Sequence, residues 1–343
     1  MKNTLVIGGA GFLGAALASE LKKRGVNVGV FDLLPHPDPS IPTHIGDLRN
    51  DAQVREACTG VDTVFQTASL VDWGPRSQDR LYAVNVTGNR NVISVCQEMG
   101  APKLVYTSSI DVVFDGHPIA DGDESLPYPS KHLDHYGHTK RLAEQDVLAA
   151  NGQRGLKSCA LRTAGIYGPG DRHRLPSILK AARSRQNIRL GDGSAKFGHV
   201  YVANVVHAHI LAAEALDGAA AGQAYFIGDH AAGNFFDFFT PYLAAFGFPP
   251  AKTRIPYRLA YVLAILMETA ARLGIGPSMP TLTRYVVAST CVDFYFSHEK
   301  AARELGYRPV VSFEQAQSET LAWLRHIKSS GDAHRTREGM RRP

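Results

Sequence analysis

The 343-residue sequence contains few cysteines. No Cys-x-x-Cys pair occurs, so we expect neither a zinc site nor a disulfide framework, and the sparse cysteines favour a reducing compartment. The first residues lead through the strand-like run 4–7 straight into glycines, so we expect no signal peptide and a cytoplasmic location. The four cysteines are Cys58, Cys96, Cys159 and Cys291.

Outside the C-terminal end, basic and acidic residues nearly balance, so the chain has little net charge there. The net charge is +5, but residues 321–343 carry six basic and two acidic side chains, which leaves +1 on the first 320 residues. No basic stripe accompanies this charge, so we expect no nucleic-acid partner. The last stretch, 329–343, is predicted to be a disordered basic tail.

The apolar segment 259–267 is too short to cross a membrane. It lies between Arg258 and Glu268, and a transmembrane helix needs about 20 apolar residues. Extended over 257–273, its apolar residues fall on one broad face of a helix. Peripheral membrane contact, a hydrophobic lid, and a core or dimer contact all fit this pattern.

Metal-ligating clusters are also missing. The histidines His132, His135 and His138 have no cysteines or grouped carboxylates beside them, so we expect no bound metal. We instead expect His135 or His138 at the mouth of a pocket.

The first half of the chain alternates short β-branched runs with helical patterns. Such alternation predicts an α/β fold, a Rossmann-type doubly wound parallel sheet, with a smaller and discontinuous C-terminal substrate-binding region. The predicted strands are 4–7, 26–31, 61–65, 104–106 and 158–161, and the predicted helices are 12–24, 53–58, 79–99 and 136–150.

The domain organisation follows from this pattern. The predicted units are a cofactor-binding domain (1–165 and 195–228), a substrate-binding region (166–194 and 229–310) with the apolar helix 257–273, and a C-terminal helix (311–328).

A glycine-rich turn follows the first predicted strand. Gly8, Gly11 and Gly14 predict a tight turn, close approach of a pyrophosphate, and close packing of strand and helix. Phe12 and Leu13 open the helix, whose free N–H groups favour phosphate. The motif therefore predicts a dinucleotide site.

An acidic residue ends the second predicted strand. The carboxylate of Asp32 can accept both ribose hydroxyls of NAD and would repel a 2′-phosphate, and no arginine follows it. NAD is therefore predicted over NADP. The other cofactor contacts that we predict are Asp47, Leu48, Thr67, Ala68, Ser69, Asn85, Thr107 and Ile166.

Hydroxyl groups and a Tyr-x-x-x-Lys pattern predict acid–base chemistry. Ser109 lies at the carboxyl end of the fifth predicted strand, with Ser108 as the alternative, and Tyr136 and Lys140 share one helix face. Lowering the pKa of a tyrosine from about 10 to about 7 needs roughly 4 kcal/mol. A fixed ammonium and a cationic nicotinamide could supply that stabilisation, which would make Tyr136 a general base toward an alcohol.

These motifs together resemble the extended short-chain dehydrogenase/reductase superfamily, and more narrowly the 3β-hydroxysteroid dehydrogenase family with its sterol-4α-carboxylate 3-dehydrogenases. The resemblance covers nearly the whole chain to about Leu324. It rests on the segments 106–116, 126–128, 136–151, 161–171, 204–209 and, most specifically, 255–257 with its apolar continuation.

The resemblance implies an NAD-dependent dehydrogenase acting on the 3β-hydroxyl of a steroid or sterol. Tyr136 matches the acid/base of the family, Lys140 its partner, and Ser109 the residue that orients the substrate oxygen. If the substrate bears a carboxylate on carbon 4, the ketone product could lose CO₂, and Arg172, His173 or Arg174 could pair with that carboxylate. We also expect a homodimer.

One departure and three alternatives stay open. Ala164 and Gly165 replace bulkier residues of the family near the substrate, which puts the substrate's size in question. The alternatives are an NADPH-dependent 2-alkyl-3-oxoalkanoate reductase, a sugar-nucleotide epimerase or dehydratase, and a non-catalytic NAD-binding module.

Overall fold

The computed structural model describes residues 1–100, 103–172, 174–183, 188–249, 251 and 253–339, with side chains up to residue 328. The strands are β1 Asn3–Ile7, β2 Asn27–Asp32, β3 Thr43–Ile45, β4 Thr63–Gln66, β5 Lys103–Ser109, β6 Ile119–Gly122, β7 Lys157–Thr163, β8 Gly165–Tyr167, β9 Ile188–Leu190, β10 Lys196–Phe197, β11 His199–Tyr201, β12 Ala224–Ile227, β13 Gly233–Asn234, β14 Thr253–Ile255 and β15 Phe294–Phe296.

Helices connect most of these strands. They are α1 Phe12–Lys23, α2 Asp51–Ala57, α3 Gln78–Leu81, α4 Asn89–Met99, α5 His135–Ala149, α6 Arg174–Arg183, α7 Val202–Glu214, α8 Phe235–Ala245, α9 Tyr257–Arg272, α10 Arg284–Cys291, α11 Glu299–Leu305 and α12 Phe313–Gly339. A π-helical segment, Tyr82–Gly88, joins α3 to α4, so these three form one continuous helical stretch.

Seven parallel strands form the main sheet, in the order β12-β7-β5-β4-β1-β2-β3. Its central strands are apolar on both faces because helices cover both sides. Side chains of α1 and α7 pack on one face in a cluster that includes Leu17 and Val205, and side chains of α2, α4 and α5 pack on the other in a cluster that includes Val92 and Val147. The predicted doubly wound α/β fold is confirmed.

The predicted strands all occur, within a few residues of the expected bounds. The sequence pattern did not predict β12 as a strand, because its four residues are too few to show a period. The helix predicted over 79–99 contains the π-helical segment, and α12 runs further than the predicted 311–328, to Gly339. Residues 340–343 of the predicted tail lie outside the described residues.

Smaller elements pack beside the carboxyl edge of the main sheet. They form a four-stranded sheet, β13-β10-β15-β6, and the two pairs β11-β8 and β14-β9. An aromatic cluster with Phe114, Phe197, Phe226 and Phe294 joins this sheet to the segment after β5. Two strands of this small sheet, β6 and β10, come from stretches that we assigned to the cofactor domain. The predicted division of the chain into domains stays a prediction.

A buried ion pair fastens α5 to the main sheet. Arg162 on β7 donates to both carboxylate oxygens of Glu144 on α5, at 2.8–3.2 Å, and both side chains are almost fully buried. The hydroxyl of Tyr128 donates to the same carboxylate at 2.6 Å. Breaking such a pair leaves an uncompensated charge in the interior.

We therefore expect Glu144→Leu to lower the free energy of unfolding by about 3–5 kcal/mol, because Arg162 would stay buried without its carboxylate. The double variant Glu144→Leu/Arg162→Met removes both charges and should lose less stability than the single variant. Urea unfolding followed by circular dichroism measures both values. If the two variants unfold at the same urea concentration, the uncompensated charge of Arg162 is not the cause of the lost stability.

Candidate active site

A cleft of about 420 Å³ opens at the carboxyl ends of the parallel strands. Open α/β sheets bind their ligands at this edge. The cleft is lined by nearly all of the predicted cofactor contacts, namely Gly8, Gly11, Phe12, Leu13, Gly14, Asp32, Asp47, Leu48, Thr67, Ala68, Ser69, Thr107 and Ile166, and by the predicted Tyr136 and Lys140.

The glycine turn leaves room that side chains would fill. Gly8 has a φ of +81°, and a Cβ there would lie 2.6 Å from the backbone nitrogen of Ala68. A Cβ on Gly14 would overlap the carbonyl oxygen of Gly8. No side chain caps the start of α1, so its first N–H groups face the cleft without a side-chain acceptor. This arrangement fits the pyrophosphate of a dinucleotide.

The adenosine end of the cleft holds two carboxylates and an arginine. Asp32 accepts hydrogen bonds from the backbone N–H groups of Ala10 at 3.0 Å and Leu34 at 3.3 Å. Arg49, which the sequence reasoning missed, lines the same cleft and pairs with Asp47 at 2.5–3.0 Å. This guanidinium holds the pKa of Asp47 below its usual value.

Asn85 lies behind the cleft wall. Its amide donates to the carbonyl oxygen of Leu70 at 3.0 Å and to the hydroxyl of Thr139 at 3.2 Å, and its oxygen accepts from the N–H of Leu70 at 2.8 Å. It therefore ties the loop after β4 to the helix that carries Tyr136. Its predicted direct contact with the cofactor stays untested.

Lys140 is buried without a carboxylate in contact among the described residues. Its ammonium donates to the carbonyl oxygen of Thr107 at 2.6 Å and lies 4.2 Å from the centre of the Tyr106 ring. Burial lowers the pKa of Lys140 to about 7. The side chain is thus held one helical turn from Tyr136, as the four-residue spacing predicted.

Tyr136 is also buried. Burial and the negative charge of Asp111 raise the pKa of Tyr136, and the hydroxyls of Ser109 and Ser69 oppose the rise only in part. The expected lowering of this pKa by Lys140 together with a cationic nicotinamide stays a prediction.

Ser109 belongs to a hydrogen-bond chain that the sequence reasoning missed. Its hydroxyl lies 2.5 Å from Oδ2 of Asp111, and the hydroxyl of Tyr285 on α10 donates to Oδ1 of the same carboxylate at 2.6 Å. Burial raises the pKa of Asp111, whereas these two hydrogen bonds lower it. The chain runs from α10 through Asp111 to Ser109.

Trp73, in the loop after β4, packs against two of these residues, Tyr285 and Tyr136. Its ring stacks on Tyr285 with 5.6 Å between centroids and meets the edge of Tyr136 at 6.4 Å. Ser108, the alternative to Ser109, lines the cofactor cleft, but its buried hydroxyl has no hydrogen-bond partner among the described side chains and backbone. The choice of Ser109 over Ser108 as the partner of Tyr136 stays a prediction.

A second cleft of about 410 Å³ lies beside Trp73. Its lining includes His135 and His138, together with Glu268, Arg272 and Arg284 from the region of α9 and α10. Both histidines line this second cleft and not the one that holds Tyr136, so their predicted place at the mouth of the catalytic pocket stays a prediction. Within the described ranges, no three His, Cys, Asp or Glu side chains are grouped as a metal ion would need.

We expect Asp111→Ala to lower kcat roughly 10- to 100-fold, because a lost buried partner costs about 1–3 kcal/mol and leaves Ser109 unoriented. Asp111→Asn retains an oxygen for Tyr285 and an N–H for Ser109, so its loss should be smaller. Steady-state kinetics with a saturating cofactor measure both. Unchanged kcat in Asp111→Ala, with unchanged cofactor affinity, would show that Ser109 needs no such support.

Comparison with known proteins supplies the family. Residues 5–257 match the model of the 3-beta hydroxysteroid dehydrogenase/isomerase family. The chain is 43% identical to short-chain dehydrogenase/reductase family 42E member 1 of Bos taurus, over 89% of this chain and 84% of that one. It is 38% identical to the sterol-4-alpha-carboxylate 3-dehydrogenase (decarboxylating) of Mus musculus, with 95% and 92% covered, and 37% identical to a 3-beta-hydroxysteroid dehydrogenase of Mycolicibacterium neoaurum, with 93% and 90% covered.

Solved structures agree on the fold. The structure of gox2253 superposes with a TM-score of 0.76 at 27% identity, covering 95% of this chain and 99% of that one. The UDP-glucose 4-epimerase of Thermus thermophilus in complex with NAD gives 0.71 at 23% identity, with 94% and 99% covered, which shows a shared fold alone. The resemblance read from the motifs is confirmed. The chain belongs to the 3-beta hydroxysteroid dehydrogenase/isomerase family and is a nicotinamide-dependent oxidoreductase of the short-chain dehydrogenase/reductase type.

Proposed function

We propose that this protein oxidises the 3β-hydroxyl group of a steroid or sterol to the 3-ketone, with NAD as the oxidant. The observation that carries the proposal is that Tyr136 and Lys140 line a cleft shaped for a dinucleotide, with Ser109 close enough to Tyr136 to lower its pKa. The steroid skeleton is supported by the names of the mouse and mycobacterial relatives. A sterol with a 4α-carboxylate would give a β-keto acid, which can lose CO₂.

The side chains divide the work between proton transfer and orientation. The phenolic oxygen of Tyr136 takes the proton of the substrate hydroxyl, and Ser109 holds the oxygen of that substrate hydroxyl in place. When bound, the oxidised nicotinamide ring accepts the hydride from the carbinol carbon. Because burial and Asp111 oppose the phenolate form of Tyr136, this side chain becomes a base only when positive charge beyond that of Lys140 is present.

The preference for NAD over NADP rests on Asp32. Its carboxylate lines the cleft at the end of β2, where it could accept the ribose hydroxyls and would repel a 2′-phosphate. Arg49 also lines this cleft, and its guanidinium already forms a bidentate ion pair with the carboxylate of Asp47. A 2′-phosphate would therefore meet a carboxylate and a cation whose charge is already compensated.

We expect NADH formation with 3β-hydroxysteroids, at least tenfold faster with NAD than with NADP at equal subsaturating concentrations. Tyr136→Phe should lose this activity roughly 10²- to 10⁴-fold, the range for a general base, while still binding NADH. NADH absorbance and NADH fluorescence titration measure the two quantities.

The same assay separates the alternatives. No turnover of any steroid, combined with NADPH-driven reduction of a long-chain β-keto acid, would replace the proposal with the 2-alkyl-3-oxoalkanoate reductase. Cofactor binding with no turnover of steroids, keto acids or sugar nucleotides would leave a binding module. Turnover that survives in Tyr136→Phe would remove Tyr136 from the mechanism.

A second proposal concerns α9, which turns its large apolar side chains outward. The inward positions Ala260, Ala264 and Ala271 are small and buried. Large apolar side chains, 41–73% exposed, cover the opposite face and the residues that follow: Leu259, Val262, Ile265, Leu266, Leu273, Ile275 and Met279. Monomeric proteins rarely leave so large a contiguous apolar patch in water.

A lipid surface is the occupant that we propose for this face. Exposed Arg254 and Arg258 flank the start of α9, so the apolar face carries positive charge at its edge. That combination suits a helix lying in the interface of an anionic membrane. Within the described part of the chain, no helix is long and apolar enough to span a bilayer.

We expect the protein to co-sediment with vesicles of phosphatidylcholine and phosphatidylglycerol, and less with phosphatidylcholine alone. Val262→Glu/Leu266→Glu should lower the bound fraction at least tenfold, since each large apolar side chain contributes about 1.5–3 kcal/mol on burial. Val310→Glu, at an equally exposed position away from α9, is the matched control. Equal sedimentation of all three proteins would overturn the proposal.

The predicted homodimer is measured with the same variants. Light scattering gives the mass of each protein in solution. A dimer that the double variant converts to a monomer, with no vesicle binding by the wild type, would assign the α9 face to a second copy of the chain instead of to lipid.

A further inference from the structure

Arg174, at the start of α6, is half-buried, and its guanidinium forms no ion pair with a described residue. Its Nη1 atom is shielded from solvent and has no hydrogen-bond partner there. The ring of Phe197 lies 4.9 Å and that of Phe235 5.8 Å from its central carbon, so aromatic faces take the place of a paired carboxylate. Asp111 and Asp171 attract the charge, but burial outweighs them and lowers the pKa of Arg174. An anionic ligand in contact with the guanidinium would compensate this cost.

The guanidinium occupies space that Gly165 leaves open. A Cβ at residue 165 would overlap Nη1 of Arg174, with the central carbon and Nη2 also too close. This explains the departure from the family at Gly165. The space that this glycine creates is filled by the arginine.

The position of Gly165 places Arg174 close to the reacting groups. Its neighbour Ile166 lines the cofactor cleft, and its other neighbour, Ala164, lines a cleft of about 590 Å³ that also includes Ile110, the residue after Ser109. The positive charge of Arg174 lowers the pKa of Asp111, the carboxylate that holds Ser109. Arg174 thus lies within electrostatic reach of Asp111 and Tyr285, two members of the hydrogen-bond chain that ends at Ser109.

We infer that Arg174 is a specificity-determining residue that binds a carboxylate on the substrate, so that the enzyme prefers a hydroxy acid to its neutral counterpart. Arginine presents two parallel N–H donors to a carboxylate, which gives both strength and orientation. Of the other two sequence candidates, Arg172 is exposed and His173 lies outside the described residues. The inference rests on the proposed function, since it names the class of substrate for the same site.

The test compares a 3β-hydroxysteroid that carries a 4-carboxylate with its methyl ester, which has the same skeleton without the charge. Wild-type enzyme should favour the acid by roughly 10- to 100-fold in kcat/KM, mainly through a lower KM. Arg174→Gln should bring the ratio of acid to ester to within about threefold, because only the acid loses a charged partner. Arg172→Gln makes the same change of charge at an exposed position and should keep the wild-type ratio.

A second variant covers the case in which Arg174→Gln does not fold. Gly165→Ala keeps the positive charge but displaces the guanidinium, so it should also lose the preference for the acid. Equal loss of activity toward acid and ester in both variants would make Arg174 a structural residue only. Wild-type enzyme that turns over acid and ester equally would likewise overturn the inference.

A binding measurement separates this inference from the proposed function. Trp73 touches the edge of Tyr136, so tryptophan fluorescence should report ligands at the site. Tighter binding of the steroid acid than of its ester, lost in Arg174→Gln, supports the inference even if no steroid is oxidised. A long-chain 3-hydroxy acid and its methyl ester, used in the same titration, distinguish a steroid carboxylate from an acyclic one. Steroid turnover with no difference between acid and ester would leave the proposed function standing and remove the inference.

Discussion

The hydrogen bond from Lys140 to the carbonyl oxygen of Thr107 joins the helix that carries the reaction to β5, an inner strand of the sheet. Its register decides where Tyr136 lies, because the two side chains are one turn apart on α5. Asn85 adds a second tie, from the loop after β4 to Thr139 on the same helix. Together with the ion pair of Glu144 and Arg162, these two ties fix the helix that positions the proton-transfer group beside the cofactor cleft.

Burial shifts the ionisable groups of the site toward their neutral forms. It raises the pKa of Tyr136 and Asp111 and lowers that of Lys140 to about 7. It also raises to about 7 the pKa of Asp134, whose carboxylate caps the start of α5. Charges in such a dry site interact more strongly than they would in water. Burial thus favours the neutral forms of these groups, and the charges of a bound cofactor and substrate would decide which of them ionise.

Local patterns were enough to predict the parts of the site that depend on local geometry. The glycine turn, Asp32 and the Tyr136/Lys140 spacing each lie within one βα unit or one helix, so chain order alone places them. Asp111, Tyr285 and Trp73 could not be predicted, because packing of α10 and of the loop after β4 brings them together from distant parts of the chain. β12 was missed because four apolar residues fit a buried helix as well as a strand.

The pair Gly165 and Arg174 shows why substitutions in a pocket cannot be interpreted one at a time. Read from the sequence, a glycine in place of a bulkier residue suggests a larger cavity. In the folded chain, the space goes to a guanidinium from the next helix, and the local change is one of charge and not of volume. Because the aromatic rings that cover this guanidinium supply no negative charge, the protein has a half-buried cation whose complement must come from elsewhere, and the adjoining clefts are where a substrate can bring it.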